Sequence, residues 1–125
     1  MRVLVINDNS GPKYHRCILP AYLMNGIEIV INNRLVEEQA ANCDILFFNR
    51  LIGNTSLQNV CDLRAKYGFK IIVDYDDYWH LDPFHVLYET YQKHNAPELM
   101  KYYMMEADGV TVTHERLAEK VLPHN

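Results

Sequence analysis

Five short apolar runs recur along this chain, and stretches with helical patterns of apolar residues alternate with them. The runs cover residues 3–6, 27–31, 44–48, 70–73 and 109–113. Short apolar runs that alternate with helical patterns are typical of βα units and a parallel sheet. The pattern therefore predicts an α/β fold: a Rossmann-like three-layer sandwich with a mainly parallel sheet of about five strands, formed by residues 1–125 as a single domain.

Turn and cap residues set the limits of the intervening helices. Asn25-Gly26 ends the first helix, which begins or kinks at Pro20 because proline cannot donate a helical hydrogen bond. A short polar helix is expected around residues 36–41. Thr55 or Ser56 caps the next helix, and Gly68 ends it.

The last third of the chain has a less regular pattern. One side of a short helix is expected to carry Phe84, Leu87, Tyr88 and Tyr91. Pro97 fits the first turn of a further helix that points Met100, Tyr103, Met104 and Ala107 inward. Thr113 is the predicted cap of the final helix.

Composition excludes several classes of function. The 125 residues carry a formal charge of −4 and no basic tract, so nucleic acid is not expected as a partner. No apolar stretch is long enough to span a membrane, and no signal peptide is recognisable. Three cysteines without paired spacing indicate free thiols in a reducing cytoplasm. Assembly into a homo-oligomer stays open.

An acidic segment ends the fourth apolar run. Asp74, Asp76 and Asp77 follow it and precede Trp79. In parallel α/β sheets, ligands bind beyond the carboxyl ends of the strands, so these carboxylates lie at the expected position of a site. Asp-x-Asp could hold Mg²⁺ with substrate phosphates, an aspartate could act as a general base, or the cluster could cap backbone amides in the turn.

Two other segments reach the same edge of the sheet. The loop after the first run contains Gly11, which is followed by Tyr14 and Arg16. Glycine allows a ligand to approach the backbone closely, and arginine can bind a phosphate or carboxylate through two hydrogen bonds. Asn49 and Arg50 end the third run, where they either face a ligand or mark the end of the strand.

Other catalytic patterns are missing from the sequence. The histidines lack the spacing of a helical zinc pair, and no nucleophile elbow, phosphate-loop lysine motif or dinucleotide fingerprint is present. Cys17, Cys43 and Cys61 are interpreted as small buried hydrophobic residues.

Several motifs together resemble those of a known family. They are Gly11-Pro12-x-Tyr14-x-Arg16, the segment 71–79 with its Asp-x-Asp-Asp-x-Trp pattern, and the run 107–113 with Leu117-Ala118 and Leu122-Pro123-His124-Asn125 after it. In order and spacing they are similar to the N-terminal domain of GT-B-fold glycosyltransferases of bacterial or phage type.

This resemblance implies the acceptor-side half of an enzyme that transfers a sugar from a nucleotide-sugar to an acceptor hydroxyl. Its partners would be the sugar acceptor and a C-terminal donor-binding domain or subunit, without which the chain would be inactive. No resident cofactor or metal is implied, and the nucleotide-sugar would be a co-substrate.

The resemblance also implies residue roles. Asp76 or Asp77 would be the catalytic base. Eight further positions would contact substrate: Gly11, Tyr14, Arg16, Asp74, Trp79, Thr113, His114 and Glu115. Asn49 and Arg50 join the predicted substrate-binding residues because of their place at the end of the third run.

An alternative of a different class is a non-catalytic flavodoxin-like module that binds a ligand or partner. A receiver-type phosphoacceptor domain is a variant of it, because Asp8 and Asp74 both follow strands. That variant needs a lysine after the fifth strand, where the sequence has Thr113-His114-Glu115. A stand-alone metal-dependent nucleotide enzyme is the third possibility.

Overall fold

A computed structural model describes residues 1–7 and 11–125 of the chain. Its five strands are β1 (Arg2–Ile6), β2 (Glu28–Asn32), β3 (Ile45–Asn49), β4 (Lys70–Tyr75) and β5 (Gly109–Val112). The helices are α1 (Gly11–Lys13), α2 (Leu19–Tyr22), α3 (Glu37–Ala40), α4 (Leu57–Tyr67), α5 (Tyr88–Lys93), α6 (Ala96–Glu106) and α7 (Glu115–Val121). A π-helical turn (Tyr14–Ile18) joins α1 to α2.

The strands form one parallel sheet in the order β2-β1-β3-β4-β5. This is the flavodoxin-like arrangement, in which the chain changes direction across the sheet after β2. The prediction of an α/β fold with a parallel five-stranded sheet is therefore confirmed.

The two faces of the sheet differ in how they are covered. Alternate residues of each strand point to opposite faces. One face, called here the covered face, forms the larger core with apolar residues from α4, α6 and α7 and with Ala40 of α3. The other, the half-covered face, packs Val3 and Val5 against Cys17, Ile18 and Ala21 of the helical segment 11–22.

Most predicted helix limits are confirmed. Ser56 caps α4 by accepting a hydrogen bond from the Asn59 amide, and Gly68 ends that helix in the left-handed conformation at φ 78°. The inward residues predicted for α6 lie in the core, with Met100 and Tyr103 at most 3 % exposed. Cys17 and Cys43 are buried, as predicted, and Cys61 is half-buried.

Three local predictions are wrong. Helix α2 begins at Leu19, so the expected helix start near Pro20 is met, but the helix ends at Tyr22 and not at Asn25-Gly26. The final helix is capped by His114 rather than Thr113, because the His114 ring accepts a hydrogen bond from the Leu117 amide. Phe84 lies before α5 in a turn and is 97 % exposed. Side-chain hydrogen bonds hold that turn: Asp82 accepts from the Phe84 amide, and His85 accepts from the Leu87 amide.

Among residues 1–7 and 11–125, no helix is both long and apolar enough to cross a membrane.

Candidate functional site

The carboxyl ends of β3 and β4 bring the acidic segment and the Asn49-Arg50 pair together. Asn49 pairs with Asp74 in the sheet register, and the Arg50 amide donates to the Asp74 carbonyl at 2.9 Å. The parallel direction of the strands therefore places these polar side chains at one edge, as strand-end reasoning predicts. They divide into two hydrogen-bonded groups.

The inner cluster consists of Arg16, Asn49, Asp74 and Thr111. Arg16 binds Asp74 through two hydrogen bonds, from Nε to Oδ2 at 3.0 Å and from Nη2 to Oδ1 at 2.5 Å. Asn49 Nδ2 donates to Asp74 Oδ2 at 2.9 Å, and Thr111 Oγ1 donates to Oδ1 at 2.7 Å. The Asp74 side chain is only 1 % exposed, and its charge is compensated by four donors.

The outer cluster consists of Arg50, Asp76, Asp77 and Tyr91. Arg50 donates from Nε to Asp76 Oδ1 at 2.7 Å and from Nη2 to Asp76 Oδ2 at 2.9 Å. The same Nη2 reaches Asp77 Oδ2 at 2.6 Å, and Nη1 reaches the Tyr91 hydroxyl at 3.3 Å. Asn49 links the two clusters, because its Nδ2 also donates to Asp76 Oδ1 at 3.0 Å.

The backbone of Arg50 is in the left-handed region at φ 58°. This conformation costs a residue with a Cβ atom about 1 kcal/mol. The residue is held there by side-chain hydrogen bonds to Asp76 and Asp77 and by the hydrogen bond from its backbone amide to the Asp74 carbonyl. Strand β3 therefore ends in a turn that points a guanidinium at the acidic segment.

The ion pairs shift the acid–base behaviour of the site. Burial acts to raise the pKa of Asp76, but hydrogen bonds from Arg50 and Asn49 outweigh it and lower the pKa below its ordinary value. The hydrogen bond to Asp74 raises the pKa of Arg16. For Arg50, burial lowers the pKa, yet the hydrogen bond and charge of Asp76 raise it overall. Asp76 is therefore a carboxylate at neutral pH and a weak proton acceptor.

The acidic segment continues beyond the end of its strand. Strand β4 ends at Tyr75, so the alternation of faces does not extend to Asp76 and Asp77. Their carboxylates accept hydrogen bonds from arginine and asparagine side chains. Among the described residues, no group of three or more His, Cys, Asp or Glu side chains could hold a metal ion.

The first loop and helix contribute one residue to these clusters. Arg16 joins the inner cluster, whereas Tyr14 is 49 % exposed and packs edge-on against the His15 ring. A Cβ atom added at Gly11 would meet nothing within 4 Å, so close backbone approach does not require glycine there. Asp8, considered above as a phosphoacceptor partner, lies outside the described residues, as do Asn9 and Ser10.

The segment after β5 lies beside the acidic segment. Thr113 Oγ1 donates to the Asp76 carbonyl at 3.2 Å. His114 caps α7, and Glu115 occupies the first turn of that helix. Both His114 and Glu115 are exposed, and with Arg116 they line an open hollow of about 580 Å³. Thr113 therefore supports the loop that carries Asp76.

A cavity of about 410 Å³, called here the edge cavity, opens beside the outer cluster. Trp79 forms part of its wall and is 2 % exposed. Its ring packs against Tyr78 at 5.0 Å between centroids and lies within about 6 Å of Tyr75, His80 and His124. The cavity is lined by Arg50, Asp77, Tyr78, Trp79, His80, Leu81, Asp82, His85, Leu87, Tyr91 and Met100.

The indole Nε1 of Trp79 has no hydrogen-bond acceptor among the described residues. A buried donor without a partner costs about 1–3 kcal/mol. The nitrogen is itself enclosed by protein, so a ligand in the edge cavity would reach it only after neighbouring side chains had moved.

Several contributors to the site were not among the predicted site residues, and they include Thr111 of the inner cluster and the cavity-lining Tyr91 and Met100. Thr111 pairs with Asp74 in the sheet register, so strand alignment would have placed it there. Tyr91 and Met100 come from α5 and α6 and reach the cavity only through packing between distant segments. Nothing in the local sequence pattern signals that contact.

Comparisons with known proteins give little beyond the fold. No protein-family model matches the chain, and no curated protein matches it either. Two solved structures are similar in fold. One is the response regulator TrrA of Thermotoga maritima in complex with Mg²⁺-BeF, at 21 % identity and a TM-score of 0.47 over 99 % of this chain and 98 % of that one.

The other is the signal receiver domain of a Luxo repressor protein of Vibrio parahaemolyticus. It has 12 % identity and a TM-score of 0.47 over 98 % of this chain and 88 % of that one. At these values no activity is carried over to this chain.

The predicted membership of the GT-B glycosyltransferases is wrong: the two solved structures named above are a response regulator and a signal receiver domain, and no family model supports the membership. The motifs that suggested it are short, and they lie where any βα chain has loops and caps. The strand order β2-β1-β3-β4-β5 agrees with the alternative, a module of flavodoxin-like fold.

Proposed function

We propose that this chain is a non-catalytic binding module of flavodoxin-like fold, whose edge cavity takes a small, flat organic ligand. The observation that carries the proposal is the buried Trp79 in the wall of a cavity of about 410 Å³ at the carboxyl ends of β3 and β4. Open parallel sheets bind their ligands at this edge.

The lining of the cavity indicates the chemistry of the ligand. Tyr78 and Tyr91, which are less buried than Trp79, offer aromatic faces on which a flat ring can stack. Arg50 and Asp77 supply a donor and an acceptor in the lining. A heteroaromatic ring with polar substituents fits this combination.

The state of the acidic residues supports binding rather than catalysis. Asp74 and Asp76 are each held by an arginine through two hydrogen bonds. The lowered pKa of Asp76 makes it a weak base at neutral pH. In the proposal, these residues therefore support the cavity and do not take part in a reaction.

The receiver-type variant is less well supported by the same geometry. A phosphoacceptor needs an accessible carboxylate oxygen, whereas the Asp74 side chain is 1 % exposed and both of its oxygens accept hydrogen bonds.

The proposal places the module in the cytoplasm, where its three free thiols remain reduced. In the proposal it works without a resident metal or cofactor.

The experiment uses the fact that Trp79 is the single tryptophan of the chain. We would titrate the protein with adenine, nicotinamide and benzoate, and follow both tryptophan fluorescence and the melting temperature. We expect a saturable fluorescence change for at least one of them, accompanied by a rise in melting temperature.

A pair of variants provides the control. Tyr91→Ala removes an aromatic wall of the cavity and should weaken binding at least about tenfold. Tyr102→Ala removes a tyrosine that lies on α6 outside the cavity and is 51 % exposed. Absence of any saturable change with the wild-type protein, or equal weakening by both variants, would refute the proposal.

A further inference from the structure

On the half-covered face, the apolar core formed with the described helical segment 11–22 reaches β1, β2 and β3 but not β4 and β5. Parallel sheets are normally covered by helices on both faces. Here α4, α6 and α7 all pack on the covered face, including α7, which follows the last strand. Among the described residues, only the segment 11–22 packs on the other face, over Val3 and Val5 of β1 and against Ile45 and Phe47 of β3.

The result is an apolar groove of about 280 Å³, called here the sheet groove. Ile45, Phe47 and Ile72 form its floor and are only half-buried. Of the described residues in its wall, Thr111 alone has a polar side chain. The complete lining is Met1, Val3, Ala21, Met24, Ile27, Ile45, Phe47, Ile72 and Thr111.

A protruding apolar surface borders this groove. It consists of Leu19, Tyr22, Leu23 and Met24, is called here the apolar ridge, and has exposures from 43 % to 75 %. Met24 belongs to both surfaces, because it also lines the groove. Groove and ridge therefore form one continuous patch at the end of α2.

We propose that this patch is the interface of a symmetric homodimer, in which the ridge of each copy fills the groove of the other. A twofold interface requires a surface that is complementary to itself. A ridge next to a groove, both apolar, meets that requirement, because the twofold axis brings each ridge opposite the partner's groove.

The size of the patch favours a second copy. The four ridge residues and Met1 at 65 % exposure offer several hundred Å² of apolar surface, toward the upper end of the roughly 300–600 Å² seen on monomers. With the groove floor added, the area approaches the roughly 800 Å² that each partner buries in a standard interface.

The charges at the border of the groove also permit the contact. At its amino-terminal end, the Met1 amino group lies 4.0 Å from Asp44, and Lys70 pairs with Asp108 at 2.8 Å. Since each charge has an opposite neighbour, two copies would meet without a block of like charges.

The test measures molecular mass by sedimentation over a range of protein concentrations. The wild-type chain should have twice the mass of one chain, and Leu23→Glu should weaken the dimer at least about tenfold. Leu122→Glu is the matched control: Leu122 is 70 % exposed, adjoins α7 of the covered face, and should leave the mass unchanged. Both positions are on the surface, so each variant should fold.

Hydrogen exchange gives an independent measurement. On dimerisation, amides of residues 21–24 should become more protected, while those of 115–121 should not change. A wild-type chain that stays monomeric at every concentration would overturn the proposal, even if an added amphipathic peptide then occupied the groove. A dimer lost in Leu122→Glu but kept in Leu23→Glu would overturn it as well.

Discussion

The inner and outer clusters use the same chemistry in different surroundings. Each contains an arginine that holds an aspartate through two hydrogen bonds. In the inner cluster the carboxylate is 1 % exposed and receives two further donors. In the outer cluster Asp76 is 14 % exposed, and the second acid, Asp77, is 73 % exposed.

This difference indicates separate roles. Removing one partner of a buried ion pair leaves an uncompensated charge, whereas an exposed pair contributes little. The inner cluster should therefore fix the ends of β3, β4 and β5, and the outer cluster should be free to adjust to a ligand. A series of single substitutions tests this division.

Asp74→Ala should have the largest effect. It leaves Asn49 and Thr111 without their acceptor and Arg16 without its counter-ion. We expect a loss of about 3 kcal/mol in the free energy of unfolding, measured by urea denaturation. A loss below that of Asp76→Asn would contradict the division of roles.

Asn49→Asp should come next, because it adds a third carboxylate between Asp74 and Asp76. The position is 2 % exposed, so one of the three acids must take up a proton. We expect a loss of about 2 kcal/mol at neutral pH that becomes smaller as the pH falls toward about 4. Asn49→Ala serves as the uncharged control, whose loss should not depend on pH in this way.

Asp76→Asn should cost about 1 kcal/mol, since the carboxylate is partly buried and bound by Arg50. Because the pKa of Asp76 is lowered in the folded state, its contribution is present above the unfolded pKa of about 3.9 and is lost as the pH falls through the lower folded value. The difference between wild type and variant should thus be constant near neutral pH and shrink below about pH 4. If the stability difference between wild type and variant grew on acidification, the pKa of Asp76 would be raised by folding and not lowered.

Asp77→Ala should have the smallest effect on stability, below about 0.5 kcal/mol, because its ion pair is exposed. Its effect on ligand binding should be larger than on unfolding, since Asp77 lines the edge cavity. Comparing the two measurements on one variant separates support of the fold from contact with the ligand.

The fold was largely predictable because it depends on local periodicity. The five apolar runs and signals such as Ser56 and Gly68 act within a few residues, and they coincide with the strands and caps observed. Parallel strands have their carboxyl ends at the same edge of the sheet, which correctly predicted that Asn49, Arg50 and the aspartates lie together.

The partners within that site were not predictable in the same way. The bond from Arg16 to Asp74 joins residues 58 positions apart, and its geometry depends on the π turn at residues 14–18. The left-handed backbone of Arg50 has no glycine to signal it. The acids were consequently considered as metal ligands or a base, without the arginines that neutralise them.

The strand order also has a consequence for folding during synthesis. Strand β1 is made first and pairs with β2 on one side, but its other edge pairs with β3, which begins at Ile45. Until the ribosome has released β3, that central edge presents unpaired amides and carbonyls. Chains fold from the amino terminus as they emerge, and such unpaired edges are prone to aggregation. The nascent chain should therefore be most vulnerable before the third strand arrives.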